Sequence, residues 1–172
     1  MRADELVDVV DEADQVIGLA TRGDIRRRNL RHRSVYIFVF NPQGQLLVHR
    51  RTATKDVFPD HWDLAVGGVV QAEEAYEAAA RRELAEEVGI AAVPLRRLFP
   101  FRYDDEHNQV VGMVYSCTWD GALRLQAEEI AVAEWLDLDA VFERVQHEPF
   151  CPDSIEAFRQ YLARLEQASQ PR

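Results

Sequence analysis

The chain has 172 residues, of which 47% are hydrophobic and 29% charged, and its formal net charge is −10. These values are typical of one globular domain large enough to bury a core. The negative charge argues against binding to bulk nucleic acid.

The first residues are polar and no apolar run is long enough for a bilayer, so we expect neither a signal peptide nor a membrane span. The two cysteines, Cys117 and Cys151, give no disulfide framework. Cys117 lies in an apolar run, which indicates a buried thiol. We therefore expect a cytoplasmic protein.

Residues 1–30 are predicted to form a hairpin and a linker packed on the core, and residues 31–172 to form the main domain. Strands are expected at 6–10 and 15–20, joined by a polar turn. Between 24 and 33 the chain carries five arginines and one histidine. We interpret this basic segment as a solvated turn or a dimer contact in preference to a phosphate site.

β-Branched and aromatic residues predict a strand at 34–40, and the turn sequence that starts at Asn41 leads to a partner strand at 45–49. A loop runs to Trp62, and a short strand follows at 64–66. Beyond a central helix, three more strands and two helices are predicted: strands at 95–103, 110–118 and 131–136, and helices at 137–146 and 152–167. This order favours a sheet covered by helices on both faces.

Residues 75–88 are predicted to form one helix that Gly89 ends, because they are rich in helix formers and contain no Gly or Pro. Spacings of three and four residues place Glu83, Glu86 and Glu87 on one helix face, where like charges repel. Such a face suits Mg²⁺, which prefers carboxylate oxygens. The alternative is a solvated face in which neighbouring arginines pair with the glutamates.

The region also contains a known signature. It holds Gly68, Glu74, the run Arg82-Glu83-Leu84, the pair Glu86-Glu87, and Gly89-Ile90. These residues fill every fixed position of the Nudix box, so the chain resembles the hydrolases that cut diphosphate bonds with Mg²⁺. The resemblance implies an α+β fold, an α/β/α sandwich around a mixed β-sheet, with the N-terminal hairpin as an addition.

The resemblance also implies roles for the residues of the box. Mg²⁺, or Mn²⁺ in its place, would be held by four groups: Glu83, Glu86, Glu87 and the Gly67 carbonyl. Arg82 would orient carboxylates, and Glu74 would hold the loop before the helix. Gly67 and Gly68 would let the strand turn sharply into that loop.

Hydrolysis needs a water molecule made nucleophilic near neutral pH, and a carboxylate can accept its proton. Glu129 is the first candidate for this base and Glu128 the second, because carboxylates from this later region often approach the metal ions in Nudix enzymes. Glu86 is an equal alternative. Both later glutamates also suit a solvated loop.

The stretch from His32 to Trp62 is similar to isopentenyl-diphosphate isomerase, which shares the Nudix fold. The similarity lies in the sequence from Phe40 to Arg51, in Lys55, and in Pro59-Asp-His-Trp. However, Gly67 stands in place of the isomerase cysteine and Val69 in place of a metal-binding histidine. Without these groups there is no route for proton transfer, so isomerase activity is disfavoured. The mixed character resembles the YfcD-like bacterial Nudix hydrolases, and His32 is expected to be a structural or surface residue.

Arg50 and Arg51 are candidates for binding the substrate diphosphate, because guanidinium matches phosphate oxygens in a bidentate fork. Phe58 and Trp62 are candidates for contact with its organic group, although Trp62 also suits a core position. The predicted function is Mg²⁺-dependent hydrolysis of a diphosphate bond in a nucleoside diphosphate-linked or related small molecule. A non-catalytic sensing domain is the remaining alternative, and a homodimer is compatible with the resemblance.

Overall fold

A computed structural model describes residues 3–170, which fold around a mixed sheet of nine strands. The strands are β1 (Leu6–Val10), β2 (Val16–Thr21), β3 (His32–Phe40), β4 (Leu46–Arg51), β5 (Trp62–Asp63), β6 (Val66–Val69), β7 (Arg96–Asp104), β8 (Gln109–Thr118) and β9 (Ile130–Leu136). The helices are α1 (Arg22–Arg28), α2 (Tyr76–Glu83) with a π-helical turn (Leu84–Val88), α3 (Leu138–His147) and α4 (Pro152–Ser169). No helix within this range is long and apolar enough to cross a membrane.

Strand β3 is the centre of the sheet. It pairs in parallel with β8 along its whole length, from His32–Val110 to Phe40–Thr118. Its other edge is shared by three strands, β1 near its start, β6 in its middle and β4 at its end. β3 thereby ties the N-terminal hairpin, the glycine-containing strand β6 and the C-terminal half of the sheet together.

The side chains of β3 divide the core into two layers. Val35, Ile37 and Val39 belong to the cluster that packs against α2, whereas Tyr36 and Phe38 belong to the cluster that packs against α3 and α4. This alternation follows from the two-residue repeat of a strand. Full burial of each large apolar side chain stabilises the fold by about 1.5–3 kcal/mol. The predicted α/β/α sandwich is confirmed.

The strand at 45–49 was predicted to pair with the strand at 34–40, and this prediction was wrong for most of its length. β4 contacts β3 only at Phe40–Leu46 and pairs antiparallel with β9 from Leu46–Leu136 to Arg51–Ile130. The reason is that β6 occupies the middle of the β3 edge from which β4 has diverged.

The N-terminal hairpin is present as β1 and β2, but the linker after it contains a helix that was not predicted. The Thr21 hydroxyl accepts a hydrogen bond from the Asp24 amide at 3.2 Å and caps α1, and Asn29 ends it in the left-handed conformation. Ile25 anchors the helix in a small cluster with Val7 of β1 and Val69 of β6. The basic segment therefore has a buried side and an exposed side, instead of being a solvated turn.

The central helix is also less regular than predicted. Its first half is α-helical, but from Leu84 the chain widens into a π-helical turn in which the Gly89 amide donates to the Leu84 carbonyl. Gly89 ends the helix as predicted, with a φ of 72° that favours glycine. Wide turns of this kind occur frequently at functional sites.

Candidate active site

A chamber of about 290 Å³ lies between strand β6, the π-helical turn and the loop before β9. Its acidic lining includes Glu83, Glu86, Glu87 and Glu129, with Glu5 at the N-terminal side, and we call it the carboxylate chamber. α2 supplies the first glutamate, the π-helical turn the next two, and the residue before β9 the fourth. The structure thus brings the three glutamates expected to bind metal, Glu83, Glu86 and Glu87, to one space.

Three of these carboxylates are buried: Glu83 is 7%, Glu87 6% and Glu129 8% exposed. Burial raises the pKa of Glu83, and burial together with the charge of Glu83 raises the pKa of Glu87 well above its usual value. The Glu86 side chain is half exposed. Buried carboxylates that repel each other in this way favour a cation among them.

Arg82 connects the chamber to the loop before α2. Its Nε and Nη2 donate to the two carboxylate oxygens of Glu74 at 2.8 and 2.9 Å, and its Nη1 donates to Glu83 Oε1 at 2.6 Å. Glu74 Oε2 accepts the Gln71 amide at 2.9 Å, and Arg82 Nη2 also reaches the Val69 carbonyl at 3.1 Å. Arg82 therefore links the Glu83 carboxylate to Glu74, and Glu74 is hydrogen-bonded to the loop before α2.

Gly67 and Gly68 do not form a sharp turn, contrary to the expectation. Both lie inside β6 and pair regularly with β3, and neither has a positive φ. A Cβ atom on Gly67 would lie 1.9 Å from the Val35 carbonyl oxygen, and one on Gly68 would lie 2.7 Å from Glu83 Oε1. Gly67 is therefore required by strand packing, and Gly68 leaves room for the Glu83 carboxylate.

The side chains of Glu129 and Glu128 lie in different environments. The Glu129 side chain is buried in the carboxylate chamber and forms an ion pair with Lys55, which is also buried. Glu128 is exposed, and its carbonyl accepts a hydrogen bond from the Thr52 hydroxyl at 3.0 Å. Only Glu129 lines the chamber, so geometry separates the two candidate bases.

The carboxylates form a suitable donor set for a divalent ion but do not yet converge on one point. Among residues 3–170, no group of three acidic, histidine or cysteine side chains is arranged to hold a metal ion. Arg82 holds Glu83, and Lys55 holds Glu129. Carboxylate oxygens are the ligands that a hard cation prefers, so the residues present fit such an ion in their chemistry.

A second, smaller space adjoins the first. This inner chamber of about 60 Å³ is lined mainly by polar groups, among them Arg26, Tyr36, Arg51, Asp63, Asn108 and Asp153. It shares Arg22, Lys55, Gly67 and Gly68 with the carboxylate chamber.

Asp153 is the most buried carboxylate of the inner chamber. It accepts hydrogen bonds from the Tyr36 hydroxyl at 2.9 Å and from Asn108 Nδ2 at 3.3 Å. Burial, with the nearby charge of Asp63, raises the pKa of Asp153 to about 6. The inner chamber therefore carries both signs of charge in a confined space.

The candidates for substrate binding are dispersed. Arg51 lines the inner chamber but donates to the Val57 carbonyl at 3.1 and 2.9 Å, and Arg50 is exposed outside it. Phe58 lines the inner chamber and also an outer cleft with Pro59, His61 and His107.

Trp62 lies in the core, contrary to the prediction that it contacts the substrate. It is 7% exposed in the core, where its ring stacks on Phe150 and Arg144 lies 4.0 Å above the ring centroid. The β5 backbone turns this side chain inward, so it lines neither chamber.

His32 and Cys117 are both structural residues in the described fold. His32 is 1% exposed, and its Nδ1 lies 2.9 Å from the Leu30 carbonyl. Cys117 is a buried free thiol whose pKa is raised to about 11 by burial.

Sequence reasoning missed Lys55, Arg22 and Arg26 as lining residues. Lys55 was visible only in the isomerase resemblance. Arg22 and Arg26 are four residues apart and therefore share one face of a helix, a signal that becomes readable only once α1 is known.

Comparison with known proteins agrees with the fold and the box. The NUDIX domain model matches residues 30–161. The chain is 44% identical over 158 residues to the Nudix hydrolase PA4841 of Pseudomonas aeruginosa, covering 92% of this chain and 94% of the relative. It is 41% identical over 160 residues to the Nudix hydrolase YfcD of Escherichia coli, covering 93% and 88%. The crystal structure of DR0079 from Deinococcus radiodurans has a TM-score of 0.81 and 34% identity, covering 91% of this chain and 98% of that chain.

Proposed function

The chain belongs to the Nudix hydrolase family, and from this we propose that it hydrolyses a diphosphate bond in a nucleoside diphosphate-linked or related small molecule, with Mg²⁺ as its metal ion. Pyrophosphohydrolase activity in general is supported by the family. The observation that carries the proposal is the carboxylate chamber, where the glutamates of the box meet Glu129.

Members of the family generally use divalent metal ions. In this chain the groups proposed to hold a divalent ion are Glu83, Glu86, Glu87 and the Gly67 carbonyl. A divalent ion at such a site lowers the pKa of a bound water and neutralises phosphate charge. Mg²⁺ fits a site rich in carboxylates that leaves room for water and substrate phosphates, and Mn²⁺ is the expected substitute.

The protein side chains have separate roles in this proposal. Arg82 keeps Glu83 oriented toward the chamber through its bonds to Glu74. Glu129 is the proposed base, since it is buried beside Glu87 and its charge is balanced by Lys55. The two buried free cysteines agree with a cytoplasmic protein.

The proposal is tested by a hydrolysis screen with Mg²⁺ and Mn²⁺. The panel contains nucleoside di- and triphosphates, nucleotide sugars, ADP-ribose, NADH, coenzyme A and isopentenyl diphosphate. Glu87→Gln is expected to lower kcat by about 100-fold or more, the scale of a lost catalytic carboxylate. The exposed Glu77 on α2 supplies the control Glu77→Gln, which should leave kcat unchanged.

A matched pair of neighbours tests the base. Glu129→Gln should lower kcat by roughly 100-fold, whereas Glu128→Gln should retain wild-type kcat. Equal losses in both variants would contradict the assignment of Glu129. Wild-type protein that hydrolyses nothing in the panel would favour a sensing domain, and dimethylallyl product would favour an isomerase.

A further inference from the structure

Helix α1 presents two of its four arginines to the chambers. Arg22 is 8% exposed and lines both the carboxylate chamber and the inner chamber. Arg26, one turn later, lines the inner chamber and the outer cleft. Arg27 and Arg28 lie on the exposed side of the same helix. The basic segment thus has an inward-facing pair at the boundary between the three spaces.

Arg22 is incompletely satisfied for a buried cation. Its Nε has no hydrogen-bond partner among the described residues, and the nearest carboxylate oxygen of Asp56 is 3.8 Å away. Its Nη1 makes only a long contact of 3.4 Å to Glu5. A buried guanidinium without full hydrogen bonding is costly, and such groups call for a ligand or another explanation.

Arg26 lies in the same positive region. Its Nε donates to Asp56 at 3.1 Å and its Nη1 to Asn108 at 3.1 Å, so its guanidinium is held in place at the wall of the inner chamber. Burial lowers the pKa of Arg26, the charge of Asp56 opposes this, and the nearby charges of Arg22 and Arg51 add to the lowering. Cations therefore concentrate directly beside the acidic chamber in a protein of net charge −10.

The size of the inner chamber limits what can enter it. Its volume of about 60 Å³ is far below the roughly 300–1,000 Å³ of pockets that hold whole small molecules. A compact anionic group satisfies both this size and the unpaired guanidinium donor. A phosphate group has this chemistry, and arginine matches its oxygens in a bidentate fork.

We propose that Arg22 and Arg26 of α1 bind a phosphate of the diphosphate substrate where the carboxylate chamber meets the inner chamber. This inference rests on the proposed diphosphate hydrolysis. It makes the N-terminal segment a working part of the site. The organic group of the substrate then extends toward the outer cleft beside Phe58, which borders the inner chamber and has the volume, about 500 Å³, that the inner chamber lacks.

The test measures binding of inorganic pyrophosphate by isothermal titration calorimetry, first in EDTA and then with Mg²⁺. Arg22→Gln and Arg26→Gln are each expected to weaken binding by about tenfold or more in both conditions. Arg22→Lys should fall between Arg22→Gln and wild type, because it keeps the charge and loses the fork. The control is Arg28→Gln on the exposed side of α1, which should bind like wild type.

Thermal melting of each variant separates loss of binding from loss of folding. If Arg22→Gln does not fold, the single variants Arg22→Lys and Arg26→Gln still decide the test. Wild-type affinity in folded Arg22→Gln and Arg26→Gln, or a wild-type protein that does not bind pyrophosphate, would overturn the inference. Glu87→Gln distinguishes this failure from failure of the hydrolase proposal, because it should lose turnover and retain pyrophosphate binding in EDTA.

Discussion

Glu87 illustrates how a single residue of the site opposes the stability of the fold. Its carboxylate is buried beside Glu83 and near Glu129, and its pKa is raised well above the usual value by burial and by the charge of Glu83. A raised pKa means that the ionised form is less favourable in the folded than in the unfolded protein. At neutral pH, Glu87 therefore destabilises the metal-free protein.

Glu87→Gln should melt at a higher temperature than wild type in EDTA, because a neutral amide removes the buried charge. A relief of about 1 kcal/mol corresponds to roughly 2–4 °C for a chain of this size. Adding Mg²⁺ should raise the melting temperature of wild type and reduce this difference, because a ligand that binds only the folded state stabilises it. Differential scanning fluorimetry measures both effects. A variant less stable than wild type in EDTA would mean that the carboxylate has a structural role.

The neighbouring residues Glu128 and Glu129 show how far the sequence alone could identify individual site residues. Sequence reasoning identified the region and ranked Glu129 first, but it could not show which side chain is buried. That depends on Lys55, 74 residues earlier in the chain, which pairs with Glu129. For Trp62 the prediction of a substrate contact was wrong because a loop aromatic turned out to start a short strand that faces the core.

In strand β6, the neighbouring glycines Gly67 and Gly68 are required for different reasons, one structural and one functional. Gly67 faces the backbone of β3, and Gly68 faces the Glu83 carboxylate. A backbone neighbour cannot move without disturbing the sheet, whereas a carboxylate at the end of a side chain can shift. The two glycines should therefore respond differently to the same substitution.

Gly67→Ala should destabilise the protein by about 3 kcal/mol or more, because its Cβ would lie 1.9 Å from the Val35 carbonyl oxygen. Gly68→Ala should fold but lose activity on the order of 10²-fold, since it displaces a carboxylate from its working position. Chemical denaturation and kcat measurements distinguish the two effects. A stable Gly67→Ala, or a fully active Gly68→Ala, would contradict this division.

At the scale of elements, the sequence predicted the central strands well and α1 not at all. The strand at 34–40 was readable because it alternates between two buried layers and contains only β-branched and aromatic residues beyond Ser34. Helix α1 has seven residues, includes Gly23, and has one apolar residue, so no periodic pattern announces it. Its position is fixed by Ile25 packing on Val7 and Val69, contacts that the local sequence does not contain.

At the scale of the whole molecule, a buried neutral histidine contributes a loss of stability in mild acid, opposite in sign to the contribution of Glu87. His32 is 1% exposed, with Arg26 and Arg22 nearby, and burial followed by the charge of Arg26 lowers its pKa from 6.5 to about 3. Between these two pH values the unfolded chain binds a proton that the folded protein does not. The contribution of His32 to stability therefore falls as the pH drops below about 6.5.

His32→Gln removes this dependence at one position. Between pH 8 and pH 5 wild type should lose about 2 kcal/mol more free energy of unfolding than the variant, at about 1.4 kcal/mol per pH unit below 6.5. Urea denaturation at the two pH values measures the difference. His107→Gln, at an exposed position, should change with pH as wild type does. Equal losses in wild type and His32→Gln would show that His32 does not contribute.

The π-helical turn from Leu84 to Val88 makes the length of this segment as important as its composition. An α-helix rotates by about 100° per residue, and a π-helical turn accommodates one residue more than an α-helical turn. Loss of one codon here would allow the turn to close as ordinary α-helix, and Glu86 and Glu87 would rotate away from Glu83. In evolutionary terms, this segment should accept conservative exchanges away from its two glutamates more readily than an insertion or a deletion.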